Sequence, residues 1–156
     1  MSSSTELCGK LETNVEIKAP AEKFYHIFKH TPHNVHNLTE NFHGCEVHEG
    51  EWGTEGSIIC WDYFHDGKRM VSKQIVEAID DEKNSITFKC IEGDLMEHYK
   101  NFNIILVVTP KAEGEGSVVH WCFDYEKHHG EIIDPHTLIE LANEVTNDLA
   151  SHLAQA

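Results

Sequence analysis

DPHTLIELANEVTNDL, residues 134–149, is the most informative segment of this 156-residue sequence. Its apolar residues recur every three or four positions, and polar residues fill the positions between them. Asp134 before Pro135 fits a helix start, since a carboxylate can cap the first turn and proline is tolerated there. The spacing predicts a long amphipathic helix with one apolar stripe, formed by Leu138, Leu141, Ala142, Val145 and Leu149. Such a stripe needs another apolar surface to cover it.

The preceding residues supply that surface as predicted β-strands. Within each strand, apolar and polar residues alternate or β-branched and aromatic residues are concentrated. Turn signals such as Asp66-Gly67 separate neighbouring strands. Because short turns join antiparallel strands, we expect six of these strands to follow one another as hairpins. The predicted strands are residues 7–17, 42–49, 57–64, 69–80, 85–92, 95–109 and 117–126.

Two short helices are predicted between the first two strands. Pro20 suits the first turn of a helix that extends to about His30. Thr31-Pro32 interrupts this helix, and a second short helix carries Val35 and Leu38. Helices that are separate from the run of strands along the chain, instead of alternating with them, are typical of an α+β fold. No linker or repeat divides the sequence, so we expect one domain over residues 1–156.

Charge and composition exclude several classes of function. The 12 Lys and Arg against 27 Asp and Glu give a formal net charge of −15, which repels nucleic acid. No apolar run approaches the roughly 20 residues that span a bilayer, so integral membrane association is not expected. The five cysteines never form Cys-x-x-Cys and are expected to be free thiols. The polar, acidic N-terminal residues do not resemble a secretory signal, so we expect a cytoplasmic location.

Several separated segments resemble the plant major latex proteins, in the same order along the chain. They are EGEWGTEGS at 49–57, WDY at 61–63, VEAID at 76–80, IEGD at 91–94, VTP at 108–110 and HWCFDYEK at 120–127. The resemblance extends from about Leu7 to Leu153. On these segments the chain is identified as a member of that family. The family belongs to the birch-pollen-allergen superfamily, together with class ten pathogenesis-related proteins, abscisic-acid receptors and a norcoclaurine synthase.

The resemblance implies a helix-grip fold, in which a curved seven-stranded antiparallel sheet surrounds the C-terminal helix and encloses a hydrophobic cavity. Matching the strands to the family assigns one group of ligand-binding residues to the concave face of the sheet: Ile59, Trp61, Tyr63, Ile86, Phe88, Phe102, Ile104 and Leu106. The opposite wall is assigned to the helix residues Leu138, Leu141, Ala142 and Val145. Periodicity alone establishes an apolar core, so a filled interior is the alternative. An open cavity destabilises a protein by roughly 24 cal/mol per Å³, so we expect one to persist only where a ligand commonly occupies it.

Three local patterns suggest other chemistry. The glycine-rich loop 49–56 could cradle phosphate, but it is acidic, no helix is predicted after it, and it lacks Gly-x-x-x-x-Gly-Lys-Ser/Thr. Related proteins proposed as ribonucleases carry a lysine near the end of this loop, where residues 56–59 are Gly-Ser-Ile-Ile. His26 and His30 are one helical turn apart and could share a metal, or could be ordinary surface histidines. Lys73 could point inward as a proton donor, or extend to solvent at the rim.

We therefore predict a cytoplasmic carrier or sensor of small hydrophobic molecules such as lipids, steroids, flavonoids or hormones. A role in plant defence or stress response is implied by the resemblance alone. Two alternatives stay open: an enzyme acting on an apolar metabolite in the same cavity, and a receptor that gains a protein partner when ligand is bound. No catalytic residue, cofactor, metal or nucleic-acid partner is predicted. Apolar walls discriminate weakly between molecules of similar size, so the sequence does not identify the natural ligand.

Overall fold

Seven strands, two α-helices and two short 3₁₀ helices form the fold that the computed structural model describes for residues 7–112, 114 and 116–155. The strands are β1 (Cys8–Ile17), β2 (Phe42–Glu49), β3 (Ile58–His65), β4 (Lys68–Asp80), β5 (Ser85–Gly93), β6 (Tyr99–Pro110) and β7 (Ser117–Lys127). The helices are α1 (Ala21–His30), a first 3₁₀ helix (Pro32–Asn37), a second 3₁₀ helix (Asp94–Glu97) and α2 (His136–Gln155). The predicted α+β class and the two short helices between β1 and β2 are confirmed.

The strands form one sheet in the order β1-β7-β6-β5-β4-β3-β2. Every neighbouring pair is antiparallel. Asp66 and Gly67 both have positive φ angles, 51° and 76°, as a two-residue hairpin of the type I′ class requires. This turn sets the register of β3 and β4, in which Trp61 lies opposite Ser72.

Side-chain alternation gives the sheet one buried face. On β3, Ile59, Trp61 and Tyr63 are buried, whereas Cys60 and Asp62 between them are partly exposed. Successive side chains of a strand point to opposite faces, so the three buried residues share one face. Both α-helices pack against the sheet, with α1 on β6 and β7 and α2 on β1, β3 and β7. The space between the sheet and α2 is where the sequence predicts the ligand site.

Helix α1 is fixed at one end of the sheet by a polar contact with the β4–β5 turn. The Tyr25 hydroxyl donates to Oδ1 of Asp81 at 3.0 Å, and Nζ of Lys29 lies 2.6 Å from the same oxygen. The hydrogen bonds from Lys29 and Tyr25 hold the pKa of Asp81 below its usual value. Phe24 and Phe28 point from the same helix into the core. This end of the sheet is therefore closed by α1.

Helix α2 is held by side-chain hydrogen bonds at its middle and in its second half. These bonds join Thr13 Oγ1 to Asn143 Oδ1 at 2.8 Å, Thr39 Oγ1 to Asp148 Oδ2 at 2.7 Å, and Trp121 Nε1 to Thr146 Oγ1 at 2.8 Å. The last of these is fully buried. They attach α2 to β1, to the segment after the first 3₁₀ helix and to β7.

Asp134 joins the start of α2 to β7. The sequence predicts that this carboxylate caps the helix, but its side-chain contacts are with the sheet. Oδ1 accepts a hydrogen bond from the Tyr125 hydroxyl at 2.5 Å and lies 3.0 Å from Nζ of Lys127. The hydrogen bonds from Tyr125 and Lys127 hold the pKa of Asp134 below its usual value. The residue therefore fixes where α2 begins through tertiary contacts.

The predicted strand 95–109 begins later than expected. Residues Asp94–Glu97 form the second 3₁₀ helix, and β6 starts at Tyr99. Gly93 has a φ of 118°, and a Cβ at this position would lie 2.1 Å from the Val71 carbonyl oxygen. The chain therefore turns sharply at a residue that only glycine suits. Leu95 belongs to this 3₁₀ helix and is buried. Its apolar side chain therefore predicted burial correctly, whereas its assignment to a strand was wrong.

The glycine-rich loop between β2 and β3 packs against the helical segment of residues 21–37. Gly53 has a φ of 78°, and a Cβ there would lie 2.6 Å from Nδ1 of His30. The His33 and Trp52 rings stack with centroids 4.6 Å apart. A strand follows the loop, so no helix N-terminus is available to bind phosphate. The loop is a packed connection between two strands.

Candidate ligand cavity

A cavity of about 100 Å³ lies between the buried face of the sheet and α2. An engineered apolar cavity of about 150 Å³ holds benzene. The space therefore holds about one aromatic ring, and the rest of a larger molecule extends through its open part or displaces its walls. The lining residues come from both helices, six strands and the second 3₁₀ helix: Phe28, Phe42, Trp61, Tyr63, Ser72, Gln74, Phe88, Leu95, Phe102, Ile104, Trp121, Phe123, Leu138, Leu141, Ala142 and Val145.

Aromatic rings form much of the cavity wall and pack against one another. Phe28 meets Trp121 edge to face with centroids 5.2 Å apart, and Phe42 meets Trp61 in the same way at 5.1 Å. Such pairs stabilise a core by about 0.5–1.5 kcal/mol beyond their buried area. The indole N–H of Trp121 is satisfied by Thr146. These rings therefore offer mainly apolar contact to a ligand.

A small polar cluster interrupts the apolar wall on β3, β4 and β5. Gln74 Nε2 donates to Ser72 Oγ at 3.0 Å and lies 3.7 Å from Cys90 Sγ, and Ser72 Oγ lies 3.6 Å from the same sulfur. Burial raises the pKa of the Cys90 thiol to about 11. Burial, with smaller effects from Cys90 and Asp94, also raises the pKa of the Tyr63 hydroxyl well above its ordinary value. Tyr63, Ser72, Gln74 and Cys90 are all neutral at pH 7.

No Lys, Arg, His, Asp or Glu lines the cavity among the residues that the structure describes. The formal charge of −15 is therefore carried outside it. A charged group moved into such a site without a partner loses its hydration and gains little in return. The electrostatics of the cavity thus favour uncharged occupants.

Nine of the twelve residues predicted as ligand contacts line this cavity. They are Trp61, Tyr63, Phe88, Phe102 and Ile104 on the sheet and Leu138, Leu141, Ala142 and Val145 on α2. Matching the strands to the family and the apolar stripe of the helix therefore predicted the faces that line the cavity. That these residues contact a ligand stays a prediction.

Ile59, Ile86 and Leu106 are not in the cavity wall, contrary to the prediction. They are buried on the predicted face, with 1%, 1% and 0% of their surface exposed. Leu106 lies on β6, against which α1 packs, and Ile86 is paired with Leu106 on the neighbouring strand β5. Alternation indicates the face of a strand, but it does not show how far along the strand a cavity extends. These three residues are filled core.

The structure adds seven lining residues that the sequence assignment omitted: Phe28, Phe42, Ser72, Gln74, Leu95, Trp121 and Phe123. Trp121 and Phe123 had a usable signal, because they alternate with polar residues along β7. Ser72 and Gln74 are in phase with buried Val76 on β4, but their polarity concealed this. Phe28 lies on a helix remote in sequence from α2, so only the tertiary structure places it here.

Lys73 points away from the cavity. Its neighbours Ser72 and Gln74 line the cavity, so strand alternation directs Lys73 to the opposite face. Its Nζ lies 3.1 Å from Oε2 of Glu92. Val71 lies on the same face of β4 as Lys73 and is 41% exposed. An apolar residue on that face therefore did not show that the face is buried. The inward, proton-donating interpretation of Lys73 is wrong.

Other candidate sites from the sequence receive little support. The His26 and His30 rings are 4.8 Å apart, yet the described residues contain no group of three or more His, Cys, Asp or Glu placed to hold a metal. Cys45, Cys90 and Cys122 are buried free thiols, whereas Cys8 is exposed. Over the described part of the chain, no helix has both the length and the apolarity needed to cross a membrane.

Comparison with known proteins agrees with this architecture. The sequence profile of the Pathogenesis-related protein Bet v 1 family matches residues 6–156. The chain belongs to the Bet v 1 family. Within this family, MLP-like protein 43 of Arabidopsis thaliana is 51% identical over 154 residues, which are 98% of each chain. MLP-like protein 34 of the same plant is 55% identical over 144 residues, 92% of this chain and 46% of that protein. The predicted membership of the major latex protein group is confirmed.

Solved structures of Bet v 1 family members support the fold. Ginseng major latex-like protein 151 from Panax ginseng superposes with a TM-score of 0.90 at 39% identity, covering 94% of this chain and 97% of that chain. Norcoclaurine synthase from Thalictrum flavum, solved with dopamine and hydroxybenzaldehyde, superposes with a TM-score of 0.76 at 16% identity, covering 95% and 87%. At that identity the likeness concerns the fold alone. The helix-grip architecture is therefore established.

Proposed function

We propose that this Bet v 1 family protein is a cytoplasmic carrier that holds one small hydrophobic molecule between the sheet and α2. The observation that carries the proposal is a partly open space lined mainly by aromatic and aliphatic side chains and by no charged one among the described residues. Such a lining provides contact area without acid–base groups. We also propose that residues 1–156 act as one ligand-binding domain, and that the protein serves in plant defence or stress response, as the family relationship suggests.

Titration with an apolar fluorescent probe tests whether the cavity binds ligands. The wild-type protein should enhance probe fluorescence with saturable, one-site behaviour. Ala142→Leu places extra side-chain volume in the wall of a cavity of about 100 Å³ and should weaken probe binding. Ala78→Leu is the matched control, because it makes the same change at an exposed position of β4. Failure of the folded wild type to bind fatty acid, sterol, flavonoid and cytokinin probes would refute the carrier proposal.

The enzyme and receptor alternatives make different predictions about the bound molecule. A carrier returns its ligand unchanged, an enzyme converts it, and a receptor binds a protein partner only when ligand is present. Native mass spectrometry of protein isolated from its own tissue, followed by incubation with the released molecule, separates these outcomes. Unchanged recovery, with no ligand-dependent partner, is the expected result. Enrichment of the bound molecule in stressed tissue would support the defence role.

A further inference from the structure

Tyr63 is a cavity-lining residue whose hydroxyl has no hydrogen-bond partner in the described part of the chain. Tyr63 lines the cavity, and only 5% of its surface is exposed. The Phe42 ring stacks on its ring at 5.7 Å, which fixes the ring plane. Every other buried tyrosine hydroxyl donates a hydrogen bond, in Tyr25 to Asp81, in Tyr99 to the Ile133 carbonyl and in Tyr125 to Asp134. In the described part of the chain, the hydroxyl of Tyr63 has none.

Gln74 presents a matching acceptor in the same cavity. Its Nε2 is held by Ser72 Oγ at 3.0 Å and by Cys90 Sγ at 3.7 Å, which fixes the carboxamide. Its Oε1 has no hydrogen-bond donor among the described side chains and backbone groups, although only 4% of Gln74 is exposed. Tyr63 and Gln74 line the same cavity of about 100 Å³, so a ligand bound there meets both side chains.

A polar atom at a cavity wall that has no protein partner is hydrogen-bonded only when a ligand or water in the cavity supplies the partner. A hydroxyl group satisfies both Tyr63 and Gln74 at once, because it donates one hydrogen bond and accepts another. A carbonyl can accept from Tyr63 but leaves Gln74 Oε1 unpaired. A carboxylate would meet no positive charge in the wall. The cavity therefore distinguishes ligands by their polar group as well as by their size.

We infer that the cavity selects an uncharged ligand that carries a hydroxyl group, with Tyr63 donating to that oxygen and Gln74 Oε1 accepting its proton. This inference rests on the proposed carrier function and specifies its ligand class. Tyr63 and Gln74 act as specificity residues, and Ser72 and Cys90 position Gln74. The hydroxyl can belong to a phenol or to an alcohol, and both sources are included in the test.

The test uses compounds that share one ring system and differ in the polar group. Dissociation constants are measured by calorimetry at pH 7.5 for naphthalene, 2-naphthol, 2-naphthaldehyde, 2-naphthoate and the alcohol 1,2,3,4-tetrahydro-2-naphthol. The wild type should bind one or both hydroxyl compounds most tightly and naphthoate most weakly. One added neutral hydrogen bond corresponds to roughly three- to tenfold in affinity.

Variants separate hydrogen bonding from differences in ligand solubility. The ratio of the naphthalene dissociation constant to that of 2-naphthol should fall by about three- to tenfold in Tyr63→Phe and in Gln74→Met. Tyr25→Phe, which removes a hydroxyl bonded to Asp81 outside the cavity, should leave the ratio unchanged. Circular dichroism confirms that each variant is folded.

Two failures can be told apart. If all five compounds bind but the ratios in Tyr63→Phe and Gln74→Met stay within twofold of the wild type, the selectivity inference is wrong and the carrier proposal survives. Tightest binding of naphthoate has the same meaning. If no compound binds saturably to the folded wild type, the carrier function and the inference both fail.

Discussion

The bond between Trp121 and Thr146 should be a main determinant of how firmly α2 stays on the sheet. Thr146 is completely buried, accepts a hydrogen bond from Trp121 Nε1 at 2.8 Å and donates one to the Ala142 carbonyl at 2.6 Å. Thr146→Val keeps the shape of the side chain but leaves the indole N–H unpaired. An unsatisfied buried donor costs about 1–3 kcal/mol. The expected loss in melting temperature is therefore about 3–10 °C for a protein of this size.

Comparison with Thr146→Ser makes this prediction specific. Serine keeps both hydrogen bonds and removes one methyl group, which costs about 1 kcal/mol. Urea unfolding should therefore rank the free energies of unfolding as wild type, then serine variant, then valine variant. Thr109→Val provides a control that makes the same change at an exposed position of β6 and should change stability by less than about 0.5 kcal/mol. If the valine variant proves more stable than the serine variant, packing dominates and the hydrogen-bond argument is refuted.

Four further outcomes are expected. Trp61→Ala should enlarge the cavity, lower the free energy of unfolding by about 3–5 kcal/mol and change the affinity for the probe. Unchanged affinity in the folded variant would show that Trp61 does not contact the ligand. At pH 8, Cys8 should react rapidly with a thiol reagent. Cys45 and Cys90 should react only after denaturant is added, because burial raises the pKa values of their thiols. Rapid reaction of all five thiols would contradict the strand assignments. The depressed pKa of Asp134 stabilises the fold above the unfolded pKa of about 4, and this stabilisation is lost as pH falls through the pKa of the folded state. Stability should therefore decline below about pH 5 less steeply in Asp134→Asn than in the wild type. The net charge of −15 predicts no retention of RNA at physiological salt and no RNA hydrolysis, and salt-dependent binding in a filter assay would show otherwise.

The strands were predictable because their sequences alternate and their turns are marked. Asp66-Gly67 fixes the β3–β4 hairpin to within a residue of its observed position. The segment from Leu95 to His98 was not predictable in this way, since an apolar run before a strand has the same pattern whether it extends the strand or forms a 3₁₀ turn. Only the tertiary contact at Gly93 distinguishes the two.

The sequence predicted which face of the sheet lines the site, but it did not show how far along the strands the cavity extends. Alternation puts Ile59, Trp61 and Tyr63 on one face of β3, and the family resemblance indicates that this face is concave, but neither shows that Ile59 lies outside the cavity wall. Ser72 and Gln74 were missed because hydropathy assigns polar residues to the solvent face. Their inward orientation depends on the register of β4 with its neighbours, and a pairing register is set by both strands together.

The small resting volume of the cavity, about 100 Å³, makes affinity a measure of how easily its walls deform. Hydrogen bonds from Asn143 onward hold the middle and the second half of α2, whereas the wall residues Leu138 and Leu141 belong to its first turns. A large occupant that displaces those turns strains the 2.7 Å contact between Nε2 of His65 and Oγ1 of Thr137. The deformation energy offsets the contact energy, so a long ligand binds more weakly than its buried area suggests. For such an occupant, the stiffness of this helical segment lowers the affinity.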